Sequence, residues 1–199
     1  MNPHSPRWRA FSSFRLPPSA LLSQLRSHLK SGGVIAYPTE SCYGLGCDPR
    51  NARAVRLLLR LKRRPQHKGL ILIGADFSQL QRFVAPLSAE QRQRLAATWP
   101  GPHTWLLPTS ARTPRWLRGR HETLAVRVTA HPEAAGLCRA LRMALVSTSA
   151  NLGGRKPAKT YAACVRAFGS AVLTIPGQVG KRKAPSTIQD LASGRIVRP

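Results

Sequence analysis

Leu21, Leu22, Leu25 and Leu29 recur at three- and four-residue intervals, the spacing that lines one face of an α-helix. Ser19 can cap that helix and Gly32 can stop it. Val34–Tyr37 then reads as a strand. Over 52–62, Val55, Leu58, Leu59 and Leu61 fall on one side, with Arg53, Arg56 and Arg60 on the other, which predicts a second amphipathic helix. Gly69–Gly74 holds a short apolar run between glycines and predicts a buried strand. Asp76 opens a short helix, and Ser88 with Gln91 has the spacing of a capping box for the next. Strands follow at Trp105–Leu107 and Leu124–Val128, a helix over about 132–142, and a strand at Ala144–Thr148. Tyr161–Phe168 is helical, Val172–Ile175 extended, and the last segments alternate as STIQDL and RIVRP. Alternating helices and strands predict an α/β domain. The successive strands across 100–128 make a mixed, twisted sheet with flanking helices the expectation, since a purely parallel sheet needs a crossover between strands.

With 199 residues the chain has the length of one domain. Residues 1–17 mix Arg, Pro, Ser and aromatics without a period and read as a loose basic arm, leaving 18–199 as the folded domain. No apolar run is long enough to span a bilayer and no signal-peptide pattern opens the chain, so a cytoplasmic location is expected.

Charge changes the picture. Thirty-two Lys and Arg face seven acids, a net +25, and a field of that size attracts polyanions such as nucleic acid. A general drift toward basic composition is the alternative source. The acids Glu40, Asp48, Asp76, Glu90, Glu122, Glu133 and Asp190 are scattered singly. Paired-carboxylate hydrolysis and an all-protein two-metal centre are therefore not expected. Cys42, Cys47, Cys138 and Cys164 lack zinc-site spacing and read as reduced thiols. No P-loop, complete dinucleotide fingerprint or nucleophile elbow is present.

Three segments remain. Leu61–Leu70, LKRRPQHKGL, sets Lys62, Arg63, Arg64 and Lys68 between a helix and a buried strand. Such cations suit a polyphosphate, lysine as a point charge and arginine as a planar fork; a solvated basic turn is the alternative. Leu145–Gly154, LVSTSANLGG, runs a strand into Ser147, Thr148, Ser149 and Asn151, which offer donors and acceptors to a ligand or form an Asx turn or helix cap. Leu124–Thr129 places Arg127 in an apolar strand. It either faces solvent or needs a counter-charge, and with acids so scarce a bound anion would supply it.

Together, YPTESCYGLGCD, LKRRPQHKGLIL, WPGPHTWLLP, LAVRVTAHP, LVSTSANLGG and PSTIQDL, in this order over 19–199, resemble the threonylcarbamoyl-AMP synthases of the YrdC/TsaC-like family in their single-domain form. The resemblance implies a YrdC-like twisted fold with a large concave basic cleft. It also implies a nucleotidyltransferase activity joining L-threonine, bicarbonate and ATP into threonylcarbamoyl-adenylate and pyrophosphate. Partner proteins would then transfer the threonylcarbamoyl group to the adenosine at position 37 of ANN-decoding tRNAs. Carried over by position, Thr39 holds the threonine with Tyr43, Arg127 and Ser186 beside it. Lys62 and Arg64 act on the triphosphate as the catalytic cations, joined by Lys68. Ser147, Ser149, Asn151 and Arg198 bind nucleotide and phosphate. Cys42, Gly153 and Lys68 depart from residues common in the family at those places. Mg²⁺ is expected to arrive with ATP, with no protein-bound metal. The rival reading is an RNA-binding or ribosome-assembly factor whose basic cleft serves RNA backbone.

Overall fold

The computed structural model describes residues 19–199; the arm expected at 1–17 lies outside the described residues. Helix α1 (Ser19–Lys30) leads into β1 (Ile35–Pro38) and β2 (Tyr43–Gly46). Then come α2 (Ala52–Lys62), β3 (Ile71–Gly74), α3 (Ser78–Gln81), α4 (Ala89–Ala96), β4 (His103–Pro108), α5 (Arg115–Arg118) and β5 (Thr123–Val128). The chain finishes with α6 (Pro132–Leu141), β6 (Leu145–Ser149), α7 (Tyr161–Phe168), β7 (Leu173–Thr174), β8 (Thr187–Asp190) and β9 (Ile196–Arg198).

Local chemistry sets the helix ends. The Asn51 side chain accepts from Ala54 N–H at the start of α2, and Arg63 ends that helix in the left-handed region, two residues before Pro65. Ser88 and Gln91 form the reciprocal capping box of α4, which satisfies two N–H groups that helix geometry leaves unpaired.

The sheet has nine strands in the order β7-β1-β2-β6-β3-β5-β4-β8-β9. Three neighbouring pairs, β1/β7, β3/β5 and β4/β8, are parallel and the rest antiparallel, so the sheet is mixed as expected. Successive side chains alternate between its faces, and two apolar clusters divide accordingly. Leu72, Trp105, Leu107, Leu124, Val126 and Val146 join the larger core. Ile35, Tyr37, Ile73 and Leu145 join a smaller core under α1 and α6, whose Leu25, Leu29, Ala134 and Cys138 meet them. The smaller core covers only part of its face. On the same face β5 turns Ala125 and Arg127, and β6 turns Ser147 and Ser149, into an uncovered hollow. Among the described residues, no helix is long and apolar enough to cross a membrane. All four cysteines are free thiols.

Strand β2 was not among the expected elements: Tyr-Gly-Leu-Gly has weak strand propensity. It forms because β1 and β6 flank it on both sides. Gly46 is required there by space. A Cβ at this position would lie 2.7 Å from both the Tyr37 ring and the Val146 carbonyl oxygen. The carbonyl belongs to the sheet and cannot yield. Gly46→Ala is therefore expected to cost about 1–3 kcal/mol by overpacking, read as a lower urea midpoint with an unchanged m-value.

Candidate functional site

The hollow is a cleft of about 760 Å³, within the size range of small-molecule sites. Its walls come from the Thr39–Cys42 turn, the end of α2 with the loop to β3, the ends of β5 and β6, and the 183–188 and 197–198 segments. Lys62, Arg63, Arg64, Lys68, Arg118, Arg127, Lys159, Lys183 and Arg198 line it, and no carboxylate does. A surface of this composition favours an anionic occupant.

Lys62 closes the gap between two sequence segments. Its side chain, only 5% exposed, donates to the Ser149 carbonyl at 2.6 Å, the Asn151 Oδ1 at 2.7 Å, the Ser149 Oγ at 3.1 Å and the Asn151 carbonyl at 3.3 Å. Gly153 N–H donates to the Lys62 carbonyl at 3.0 Å, so backbone and side chain both fasten the loop after β6 to the end of α2. Burial, and then the nearby Arg64 charge, pull the Lys62 ammonium down to about 8.

Arg64 bends back to its own loop, donating from Nε and Nη2 to the Gly69 carbonyl at 3.2 and 2.9 Å. That loop is buttressed by a second one. Leu70 N–H reaches the Leu117 carbonyl at 2.8 Å, and Gly69 and Gly119, both at positive φ, cross without side chains between them. The crossing brings Arg118 and His121 to the cleft wall. Arg198 donates twice to the Ser186 carbonyl, at 2.7 and 3.0 Å, and once to its Oγ at 3.1 Å. Thr104 donates to the same Oγ at 2.9 Å. Burial lowers Arg64 and Arg198 from the ordinary arginine range, and in Arg198 the Arg127 and Arg64 charges add to it. Arg198 thus feels the charges of Arg127 and Arg64 across the hollow.

Arg127 has a protein counter-charge. Its Nη2 lies 3.2 Å from Glu40 Oε2, which corrects the expectation that scarce acids would leave only a bound anion to pair it. Glu40 is fixed in turn by Thr129, whose hydroxyl donates to Oε1 at 2.7 Å. Burial raises the Glu40 carboxyl, but the Arg127 charge and the Thr129 bond outweigh it and leave the group below its usual range. Arg127 Nε is buried without a hydrogen-bond partner, a donor available to an acceptor in the cleft. Thr39 spends its hydroxyl proton on the Cys42 carbonyl at 2.8 Å, so its oxygen can only accept.

Thr39, Lys62, Arg64, Lys68, Arg127, Ser147, Ser149, Asn151, Ser186 and Arg198 share this single cleft. Tyr43 does not join them. Its ring is buried in the larger core and its hydroxyl donates to the Gly177 carbonyl at 3.0 Å, which makes it a support behind the wall rather than a wall residue. Arg63, named with its neighbours as suited to a polyphosphate, also reaches the cleft, as do Arg118, His121, Lys159 and Lys183, which had not been singled out. In a chain so rich in arginine and lysine, composition cannot separate a lining cation from a solvated one. Among the described residues, no three His, Cys, Asp or Glu side chains group to hold a metal ion.

Fold and site together define an α/β protein with one cleft of recessed hydroxyls and fixed cations, a lining suited to small anions. The comparisons narrow that class. A family model described as "Telomere recombination", that of the Sua5/YciO/YrdC proteins, matches residues 27–199. The chain belongs to this family. A threonylcarbamoyl-AMP synthase of Methylobacillus flagellatus is 63% identical over 175 residues, 88% of this chain and 97% of that protein. One from Chromobacterium violaceum is 61% identical over 184 residues, covering 92% and 95%. The crystal structure of P. abyssi Sua5 complexed with L-threonine superposes with a TM-score of 0.78 at 29% identity, over 85% of this chain and 50% of that one. Escherichia coli YciO gives a TM-score of 0.77 at 28% identity, over 92% and 90%.

Replacing the Lys62 ammonium strips a donor from four oxygens at once. Lys62→Met, close in length but uncharged, is expected to destabilise the fold at pH 7 by about 1–3 kcal/mol, with a lower urea midpoint. An unchanged midpoint would show that the four contacts contribute nothing net.

Proposed function

We propose that this chain is a threonylcarbamoyl-AMP synthase, a nucleotidyltransferase that condenses L-threonine, bicarbonate and ATP to threonylcarbamoyl-adenylate and pyrophosphate for modification of tRNA. The observation that carries the reading is one cleft in which acceptor-only Thr39, the unpartnered Nε of Arg127 and a set of phosphate-suited cations converge. The identity of more than half the residues with named synthases over nearly their full length supports it.

The threonine amine adds to bicarbonate and loses water to give a carbamate. A carbamate oxygen then attacks the α-phosphorus of ATP, and the bond to the leaving pyrophosphate breaks. No enzyme nucleophile is needed. The chain supplies proximity and fixed positive charge. Thr39 Oγ1 accepts an N–H of the amino acid, Arg127 holds its carboxylate, and Ser186 closes that end. Arg64 and Lys68 take phosphate oxygens, while Ser147, Ser149 and Asn151 meet the nucleotide at the end tied by Lys62. Mg²⁺ would come with ATP and offset phosphate charge, held by phosphate and water, with Ser147, Ser149 and Asn151 as the neutral oxygens beside it. The adenylate then passes to proteins that transfer its threonylcarbamoyl group to tRNA and release AMP.

Pyrophosphate release is expected only when threonine, bicarbonate and ATP are all present. Arg64→Ala should lower kcat/KM by about a hundredfold, with a melting temperature close to that of the parent; near-normal turnover would overturn the phosphate role. The Lys62 charge gives a second test. Its ammonium is cationic below about 8 and loses its proton as the pH rises through that value. The apparent KM for ATP should therefore climb above pH 8, and a flat KM from pH 7 to beyond 9 would remove Lys62 charge from nucleotide binding.

A further inference from the structure

Residues 177–183 pass behind the Thr39–Glu40 turn and deliver Lys183, Pro185 and Ser186 to the cleft. Three side chains, one from β2 and two from the start of α6, grip one corner of this segment. Tyr43 donates to the Gly177 carbonyl at 3.0 Å, Glu133 Oε1 accepts from Gln178 N–H at 3.2 Å, and His131 Nε2 lies 3.0 Å from the Gln178 carbonyl. None of the three lines the cleft. The imidazole roles follow from its partners. Nδ1 accepts from Ala134 N–H at the start of α6, so Nε2 carries the proton and donates to Gln178.

Two backbone bonds then register the segment against the turn, from Gly180 N–H to the Thr39 carbonyl at 2.9 Å and from Arg182 N–H to the Glu40 carbonyl at 3.1 Å. A Cβ on Gly180 would lie 2.7 Å from the Glu40 carbonyl oxygen and 3.0 Å from its Cα, so the contact admits only glycine. Thr39 and the Arg127 partner Glu40 are the two residues so held. The opposite end of the cleft, where Lys62 meets Ser149 and Asn151, has its own fastening and shares none of these bonds.

We propose that 177–183 is a strap whose placement sets the amino-acid end of the cleft, with Tyr43, His131 and Glu133 as positioning residues acting through it. This rests on the proposed assignment of threonine to the Thr39–Arg127 end. Loosening the strap displaces Thr39 and Arg127 while leaving the phosphate end in place, so amino-acid binding suffers and nucleotide binding does not.

The test compares Tyr43→Phe, His131→Asn and Gly180→Ala. Asparagine can still cap α6 but is too short to reach Gln178, which separates the helix cap from the strap. Each variant is expected to raise the threonine KM about tenfold with the ATP KM within about twofold, and to speed amide exchange at 178, 180 and 182. Equal rises in both constants, or unchanged exchange at those amides, overturn the proposal. Were the parent protein to release no threonine-dependent pyrophosphate, the reaction itself would be wrong. Amide exchange, together with calorimetric binding of free L-threonine and of ATP, would then decide the strap alone.

Discussion

The ammonium of Lys62, set among four oxygens of Ser149 and Asn151, is the joint on which the cleft depends. The end of a helix and the end of a strand 87 residues later in the chain have no covalent reason to meet. A lysine that has lost most of its water is costly unless oxygens replace it, and here they do, from two carbonyls, a hydroxyl and an amide. The same contacts leave its charge at the cleft wall. One residue thereby shapes the phosphate end and contributes to its field.

Nine cationic side chains around one hollow repel one another, and something must hold them against that repulsion. The fold does so with backbone oxygens more than with acids. Arg64 is held by the Gly69 carbonyl and Arg198 by the Ser186 carbonyl; Arg127 has the buried carboxylate of Glu40, and Arg118 meets the exposed one of Glu122. A carbonyl orients a guanidinium without cancelling its charge, so the field of the cleft is preserved for an incoming anion. Donors fixed before the substrate arrives need little reorganisation when charge develops on a leaving pyrophosphate. Among the described residues the one buried ion pair, Arg127–Glu40, sits at the end proposed for a zwitterionic amino acid, where less net positive charge is needed.

Much of this arrangement was legible beforehand. The leucine spacing of α2 and the Ser88–Gln91 cap needed only neighbours in sequence, and both stand in the structure as read. Strand β2 was hidden because its tyrosine and glycines gain a strand conformation only from β1 and β6 on either side. The Arg127–Glu40 pair joins a strand to a turn 87 residues away, and singly scattered acids gave no hint of which would be chosen. Tyr43 lies inside the motif YPTESCYGLGCD, so proximity in sequence suggested the cleft; the alternation of β2 instead turns it into the core, with its hydroxyl reaching Gly177. Motif membership located the neighbourhood. The sheet's two-residue period decided which side chains face the ligand.

That period also bears on what fills the hollow. RNA backbone could be met by the exposed cations Lys68, Lys159 and Lys183 alone. It cannot reach Thr39, Ser147, Ser186 and Arg127, each less than a tenth exposed, without threading into a recess built from strand ends. A polymer-binding surface gains nothing by sinking polar groups so far, because each loses water that the polymer does not replace. Groups this deep match ligands small enough to enter whole, and in the proposed arrangement the amino acid sits innermost with the nucleotide spanning toward the more exposed lysines. On that proposal the excess positive charge outside the cleft would act at a distance, attracting ATP and nucleic acid alike, and the recessed groups would select which of them is bound for chemistry.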